Sequence, residues 1–286
     1  MHDSSLRLAD GRTLAYAEHG DPAGAPVLFF HGLPGSRLTR HPDESISRGL
    51  GVRLFTFDRP GYGRSTAQPG RRILDWAEDV RQFADAAALE GFALLGWSGG
   101  APYALAVAQA LEARVARVVL VSPVAPLAGT GSARQLSPRL RRNVRIARIA
   151  PWLVGLTVTR EVRAFARDPE RALDRAFADV PPCDRVVLEE GPIRRMYVAS
   201  RIEAYRQGPR PLLQDALLYL RPWGFEPSSV RTPVKLVHGE LDETIAPEHT
   251  RQLASMLGDC ETSFVAGEGH MVCLARWEEL LCETAA

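Results

Sequence analysis

Leu94-Leu95-Gly96-Trp97-Ser98-Gly99-Gly100-Ala101-Pro102-Tyr103 is the stretch that decides the fold, because it sets a serine between a strand and a helix. The apolar run 92–95 is typical of a buried strand, and the alanine- and leucine-rich run 101–111 predicts a buried helix. A serine in the turn between them has its hydroxyl exposed at the edge of a sheet, which predicts a nucleophile. The alternative is a serine that only caps the helix.

Strands and helices alternate on both sides of this stretch. We predict an antiparallel hairpin around Asp10-Gly11 and further strands at 27–30, 53–57, 92–97, 115–121, 232–238 and 261–265. The pattern is typical of an α/β fold with a doubly wound, mostly parallel sheet. A terminal helix is predicted from the residue after His270 to about residue 284. Residues 124–222 contain no evident strand, and helices are predicted there at about 138–149, 151–165, 169–178, 183–190, 193–207 and 211–218. We therefore predict a core of residues 1–123 and 223–286, with a helical cap of residues 124–222 inserted after the sixth strand.

Composition excludes several classes of function. The 286 residues carry a net charge of +1, which gives no general argument for binding nucleic acid or an anionic membrane. No apolar run approaches the ~20 residues of a membrane span, and the first residues lack the pattern of a signal peptide. We expect a cytoplasmic protein, monomeric or homodimeric, that acts on a small molecule. We expect neither metal nor cofactor, because the spacing of the cysteines fits no usual zinc site (Cys183, Cys260, Cys273, Cys282).

The predicted cap is rich in arginine. It contains 18 arginines against 10 acidic residues, and the densest group is Arg141, Arg142, Arg145 and Arg148. One interpretation is a set of solvated helix faces with arginine in place of lysine. The other is attraction of an anionic substrate, or of an acidic carrier, toward the site.

Serine needs a base to become a nucleophile, and that base needs a carboxylate to hold its tautomer. Ser98, Asp242 and His270 occur in the order expected for a serine on an α/β sheet, each at the carboxyl end of a predicted strand. Glu240 and Glu243 are close rivals to Asp242. We prefer Asp242 because it lies inside the turn that follows the strand.

The loop 31–35, His31-Gly32-Leu33-Pro34-Gly35, follows another buried strand. We expect the backbone N–H groups of Leu33 and Gly99 to bind an oxyanion; Pro34 has no N–H. His31 is expected to brace this loop. Trp97 and Pro34 are expected to contact the substrate.

A second loop follows the strand at 53–57. Asp58 is expected to hold this loop in place by pairing with Arg59 or Arg64. A catalytic role for Asp58 is the alternative.

These motifs together resemble the α/β-hydrolase fold superfamily in its cap-bearing, serine hydrolase branch. The matching segments are His31-Gly32 with Pro34-Gly35, Asp58-Arg59-Pro60-Gly61-Tyr62-Gly63-Arg64-Ser65, Gly96-Trp97-Ser98-Gly99-Gly100, His238-Gly239 with Asp242, and Gly269-His270. The resemblance implies Ser98 as nucleophile, His270 as base, Asp242 as orienting acid, and Leu33 and Gly99 as oxyanion donors.

The same resemblance leaves the substrate open. An esterase-like enzyme is expected first, and a C–C bond hydrolase, or a lactonase or cyclase of a specialised metabolite, is the alternative. A ligand receptor on a hydrolase scaffold would keep the same residues, and a cofactor-free dioxygenase would keep the histidine. A proline iminopeptidase would need an acidic pocket for a free amine, which the arginine-rich cap disfavours.

Overall fold

One sheet of eight strands runs through the computed structural model, which describes residues 2–129 and 131–286 and, within them, all side chains except those of residues 2 and 151. The strands are β1 His2–Arg7, β2 Thr13–Gly20, β3 Ala25–Phe30, β4 Val52–Phe57, β5 Phe92–Trp97, β6 Val115–Val121, β7 Val234–Gly239 and β8 Cys260–Val265. Their spatial order is β1-β2-β4-β3-β5-β6-β7-β8. The pairs β1–β2 and β2–β4 are antiparallel and the other pairs are parallel, which confirms the predicted fold class.

The helices fall into two groups. Those of the core are α1 Glu44–Gly49, α2 Asp75–Ala86, α3 Ala101–Ala110, α10 Glu248–Met256, α11 Val272–Ala275 and α12 Trp277–Ala285. Those between β6 and β7 are α4 Pro138–Ile149, α5 Pro151–Arg167, α6 Pro169–Ala176, α7 Pro182–Glu189, α8 Gly191–Ala204 and α9 Arg210–Leu218. We call this second group the cap helices. The part of the chain that the structure describes contains no helix long and apolar enough to cross a membrane.

Helices cover both faces of the sheet because the central strands are apolar on both faces. Along β3, Phe29 packs edge-on against Trp277 of α12, with ring centroids 5.2 Å apart. The next residue, Phe30, points to the opposite face and packs against Trp76 of α2 at 5.6 Å. Successive side chains of a strand alternate between faces, so a continuous apolar run requires cover on both sides.

The predicted hairpin forms at one edge of the sheet. Leu6 of β1 pairs with Leu14 of β2, and Gly11 in the connecting turn has φ of 86°, a conformation that favours glycine. The six cap helices lie within three residues of the segments predicted from the sequence at each end. Helix α1 was not predicted, and the single predicted terminal helix is divided into α11 and α12.

Candidate active site

Ser98 lies directly after β5, in a short 3-10 turn, Ser98–Gly100, that leads into α3. Its φ of 55° is in the left-handed region, which is unfavourable for a serine and is typical of strained functional turns. Glycine is required at position 100, because a Cβ there would lie 2.0 Å from the carbonyl oxygen of Phe30. At Gly96 a Cβ would lie 2.9 Å from the side chain of Leu120. Close packing of β3, β5 and β6 therefore fixes the turn that presents Ser98.

Three of the predicted site residues are hydrogen-bonded in series. His270 Nε2 lies 3.1 Å from Ser98 Oγ, and His270 Nδ1 lies 2.7 Å from Asp242 Oδ2. An ionised carboxylate only accepts hydrogen bonds, so Nδ1 carries the proton and Nε2 of the neutral ring can accept from the serine hydroxyl. The three residues follow the carboxyl ends of β5, β7 and β8. All three are buried.

Electrostatics in this series favour an ionised Asp242. Burial by itself raises the pKa of Asp242. The neighbouring His270 and the hydrogen bonds that the carboxylate accepts outweigh burial and hold the pKa of Asp242 well below its usual range. Burial by itself lowers the pKa of His270, and the negative charge of Asp242 outweighs it, so that the pKa of His270 is raised. The pair is therefore arranged to stabilise an imidazolium when Ser98 gives up its proton.

Further bonds fix the orientation of Asp242. Its Oδ1 accepts from the backbone N–H groups of Thr244 and Ile245, each at 2.9 Å. His238 Nε2 lies 3.2 Å from Asp242 Oδ2 and 2.8 Å from the carbonyl oxygen of Ile245. Since both neighbours are acceptors, Nε2 of His238 carries its proton. The rivals considered in the sequence, Glu240 and Glu243, are exposed to solvent.

The positions expected to bind an oxyanion face each other beside Ser98. A Cβ built on Gly99 would lie 3.3 Å from Cβ of Leu33, and a Cβ on Gly32 would lie 3.3 Å from Cβ of Ser98. Tyr219, just after α9, donates its hydroxyl to the carbonyl oxygen of Gly99 at 2.6 Å. This bond orients the peptide that follows Gly99. Nothing in the sequence pointed to Tyr219.

His31 braces loop 31–35, as expected from the sequence, and Arg59 supports the same loop from outside it. His31 Nδ1 lies 2.8 Å from the carbonyl oxygen of Gly32. Arg59 donates through Nη1 to the carbonyl oxygen of His31 at 2.7 Å and through Nη2 to that of Gly32 at 3.2 Å. Burial keeps the pKa of His31 well below its ordinary value, so the ring is neutral.

The expected partner of Asp58 was wrong. Asp58 accepts from the backbone N–H and the Nη1 of Arg37, each at 2.7 Å, while Arg64 contributes only its backbone N–H at 3.0 Å. Arg59 points in the opposite direction, toward Asp215 of α9. Asp58 still holds its loop in place, because its carboxylate collects three donors from two segments.

Asp215 joins the cap helices to the core through a buried ionic cluster. Its carboxylate accepts from Arg59 Nε at 3.2 Å, Tyr62 Oη at 3.0 Å, Tyr103 Oη at 2.8 Å and from Arg71. Burial opposes the charge, but Arg71 and Arg59 outweigh it and lower the pKa of Asp215 to about 2. The same Arg59 holds loop 31–35, so a cap residue supports the loop expected to bind the oxyanion.

A second cap residue supports the loop that carries His270. Asp184 of α7 accepts from the backbone N–H of His270 at 2.9 Å and from that of Met271 at 2.8 Å. The side chain is 1% exposed, and burial raises its pKa. Gly269 is required beside it, because a Cβ there would lie 2.4 Å from Asp184 Oδ1. No sequence motif indicated this contact.

A cavity of about 380 Å³ opens beside Ser98 and is closed on the other side by cap helices. Ser98, His270 and both residues expected to contact substrate, Trp97 and Pro34, line it. Trp97 is held by donation from Nε1 to the carbonyl oxygen of His270 at 3.2 Å. The wall is mainly apolar, with four charged side chains besides His270: Arg139, Arg142, Glu161 and Arg201. Of the arginine cluster singled out in the sequence, only Arg142 reaches this wall.

No cluster of three or more histidine, cysteine or acidic side chains that could hold a metal ion occurs in residues 2–129 and 131–286. The four cysteines are free.

Comparison with known proteins identifies the family. A model of the α/β hydrolase fold family matches residues 25–276. A non-heme chloroperoxidase from Streptomyces lividans is 38% identical over 126 residues, which are 43% of this chain and 45% of that protein. A pimeloyl-acyl-carrier protein methyl ester esterase from Aromatoleum aromaticum is 28% identical over 239 residues, which are 80% of this chain and 84% of that protein.

Solved structures agree on the fold. An esterase from Rhodococcus sp. ECU1013 superimposes with a TM-score of 0.70 at 21% identity, covering 100% of this chain and 98% of that one. At this identity the likeness shows the fold alone. The alignment with the chloroperoxidase spans less than half the length of that protein. The reaction must therefore be argued from the site itself.

Proposed function

The chain belongs to the α/β hydrolase fold family, and we propose that it is a serine hydrolase that cleaves small ester substrates through an acyl-serine intermediate. The observation that carries the proposal is the hydrogen-bonded series Ser98–His270–Asp242, with distances of 3.1 and 2.7 Å, at the floor of a cavity. The cavity volume of about 380 Å³ suits a small molecule.

The first half-reaction transfers the acyl group to Ser98. His270 Nε2 takes the hydroxyl proton as Oγ attacks the carbonyl carbon, and the imidazolium is stabilised by Asp242. The backbone N–H groups of Leu33 and Gly99 bind the negative oxygen of the tetrahedral intermediate. The C–O bond of the ester then breaks, and His270 gives its proton to the leaving alcohol.

The second half-reaction regenerates the enzyme. Water enters the position of the alcohol and gives a proton to His270 Nε2 as its oxygen attacks the acyl carbon. The new tetrahedral intermediate expels Ser98 Oγ, which recovers the proton from His270. The products are one acid and one alcohol for each water consumed. Ester hydrolysis is also the reaction named for the relative from Aromatoleum aromaticum, which supports the proposal.

The test is labelling of Ser98 by a fluorophosphonate together with turnover of p-nitrophenyl acetate. The expected result is stoichiometric labelling and steady turnover in the wild type, with both lost in Ser98→Ala. Ser122→Ala is a matched control, because Ser122 is also a buried serine with positive φ at a strand end, outside the cavity wall. Absence of labelling and turnover in the wild type would refute the hydrolase. Labelling with one burst and prolonged retention of the ligand would indicate a receptor instead.

A further inference from the structure

One buried cation in the wall of the cavity lacks a full set of acceptors. Arg201 of α8 is 8% exposed and lines the same cavity as Ser98 and His270. Its only ion pair among the described residues joins Nη1 to Glu161 Oε1 at 3.5 Å, the long limit for a hydrogen bond. Its Nε is buried and has no hydrogen-bond partner in residues 2–129 and 131–286.

Arg59 shows how this chain satisfies a buried arginine. All three of its nitrogens donate: Nε to Asp215, Nη1 to the carbonyl oxygen of His31, and Nη2 to that of Gly32. Burying a charged group is costly unless it is paired and hydrogen-bonded. Arg201 therefore has fewer hydrogen-bond acceptors than another buried guanidinium of the same protein.

Glu161 does not supply the acceptors that Arg201 lacks. Its Oε1 also accepts from the hydroxyl of Tyr205 at 2.5 Å, and its side chain is 35% exposed. The carboxylate is thus shared with Tyr205 and with solvent, whereas Arg201 is buried beside the rings of Phe165 and Phe177, whose centroids lie 6.0 and 5.6 Å from its Cζ. Because Arg201 is shielded from bulk solvent, an added negative charge would bind it more strongly than it would bind an exposed cation.

The other arginines of the wall are less suited to binding an anion by direct contact. Arg139 and Arg142 lie on α4 and are exposed, so bulk water competes for their donors. They contribute attraction at longer range. Arg201 is the cation that combines burial, a place in the wall and an unpaired donor.

We propose that Arg201 binds a carboxylate of the substrate, so that the ester cleaved at Ser98 is a half-ester of a dicarboxylic acid. The inference rests on the proposed function and adds the substrate class to it. A carboxylate matches the planar guanidinium fork and can accept from two of its nitrogens at once. The mainly apolar wall suits a hydrocarbon chain between the two carboxyl groups, with contacts from Leu33, Val154, Val158, Phe177 and Leu212.

The test compares p-nitrophenyl esters whose acyl chains of four to eight carbons end in a carboxylate, a carboxamide or an ammonium group. At one chain length or more, the wild type is expected to favour the carboxylate over the carboxamide by roughly 10- to 100-fold in kcat/KM, the range for hydrogen bonds to charged groups. Arg201→Gln is expected to abolish that preference. Arg145→Gln removes the same charge from an exposed position of α4 outside the wall. This variant is expected to keep the preference for the carboxylate.

Equal kcat/KM for carboxylate and carboxamide throughout the series would overturn the inference, as would a preference that survives Arg201→Gln. A preference for the ammonium ester would also overturn it and would assign recognition to Glu161. Fluorophosphonate labelling and thermal melting of Arg201→Gln distinguish loss of the preference from loss of the fold.

Binding to Ser98→Ala separates this inference from the proposed function. Calorimetry with the monoamides of the same dicarboxylic acids, against the neutral diamides, measures recognition without turnover. Tighter binding of the carboxylate that depends on Arg201 supports the inference even if no ester is cleaved. Equal binding refutes it even if esters are cleaved.

Discussion

Replacement of Asp184 by asparagine tests whether the cap holds the proposed base in position. In the wild type both oxygens of this buried carboxylate are used, one by the N–H of His270 and one by that of Met271. Asparagine has nearly the same shape but only one acceptor oxygen, so its amide group must face one of the two N–H donors. The substitution also removes a negative charge that raises the pKa of His270.

The lost hydrogen bond lowers the stability of the fold, and the lost charge changes the pKa of His270. A hydrogen bond to a charged group contributes about 1.5–3 kcal/mol, and a buried donor left without a partner costs a similar amount. For a chain of 286 residues, about 2–3 kcal/mol corresponds to a decrease in Tm of about 3–5 °C. Loss of the Asp184 charge lowers the pKa of His270, because that charge is one of the contributions that raise it.

The pH profile is the decisive assay. Acyl transfer needs neutral His270, so kcat/KM rises with pH through the pKa of His270, which the structure raises above its ordinary value. Without the charge of Asp184 that pKa falls, and the acid limb of the profile moves toward lower pH. We also expect kcat on the pH plateau to fall about 10-fold or more, because the loop that carries His270 loses a fixed contact.

Asp179→Asn is the matched control. Asp179 precedes α7 and is exposed, so the same substitution there should change neither Tm nor the pH profile. An Asp184→Asn enzyme with wild-type Tm, kcat and acid limb would refute the reasoning. A lower Tm with an unshifted acid limb would show that Asp184 stabilises the fold but does not act on His270.

Three further substitutions test other parts of the site. Asp215→Asn leaves Arg59 in a buried cluster without its counter-ion, and the free energy of unfolding, measured with denaturant, should fall by about 3–5 kcal/mol. Because the pKa of Asp215 is lowered to about 2, its contribution to stability is present above about pH 4 and is lost toward pH 2. The variant should lack this decrease of stability in acid. Gly63→Ala places a Cβ 2.0 Å from Asp58 Oδ2 at φ of 48°, and the yield of folded protein should fall sharply. Asp242→Asn should keep the fold and lower kcat by about 10³–10⁴, because an amide can hold the wrong histidine tautomer.

The sequence was sufficient to predict which side chains meet at the ends of the strands. Ser98, Asp242 and His270 follow β5, β7 and β8, and parallel strands bring their carboxyl ends to one edge of a sheet. The position of Asp242 inside the turn after β7 favoured it over Glu240 and Glu243, and both glutamates are exposed in the structure. These inferences need only the order of the strands.

The cap was harder to predict for a physical reason. Helical periodicity located its six helices to within three residues at each end, but it does not say which face meets which part of the core. Asp184, Arg201, Asp215 and Tyr219 belong to no short motif and act only once the cap is packed on the sheet. The error at Asp58 has the same origin, since Arg59 turns toward a cap residue that the sequence could not place beside it.

The contacts of the cap also limit how it can move. Asp184 is bonded to the loop of His270, Asp215 supports loop 31–35 through Arg59, and Tyr219 is bonded to the carbonyl oxygen of Gly99. Rotation of the whole cap away from the sheet would break all three contacts, and separation of the Asp215 cluster alone would leave buried charges unpaired at a cost of about 3–5 kcal/mol. Opening for substrate therefore requires less free energy if it is confined to α4 and α5, which carry none of these contacts. In such a motion Ser98, His270 and loop 31–35 stay assembled while the mouth of the cavity opens.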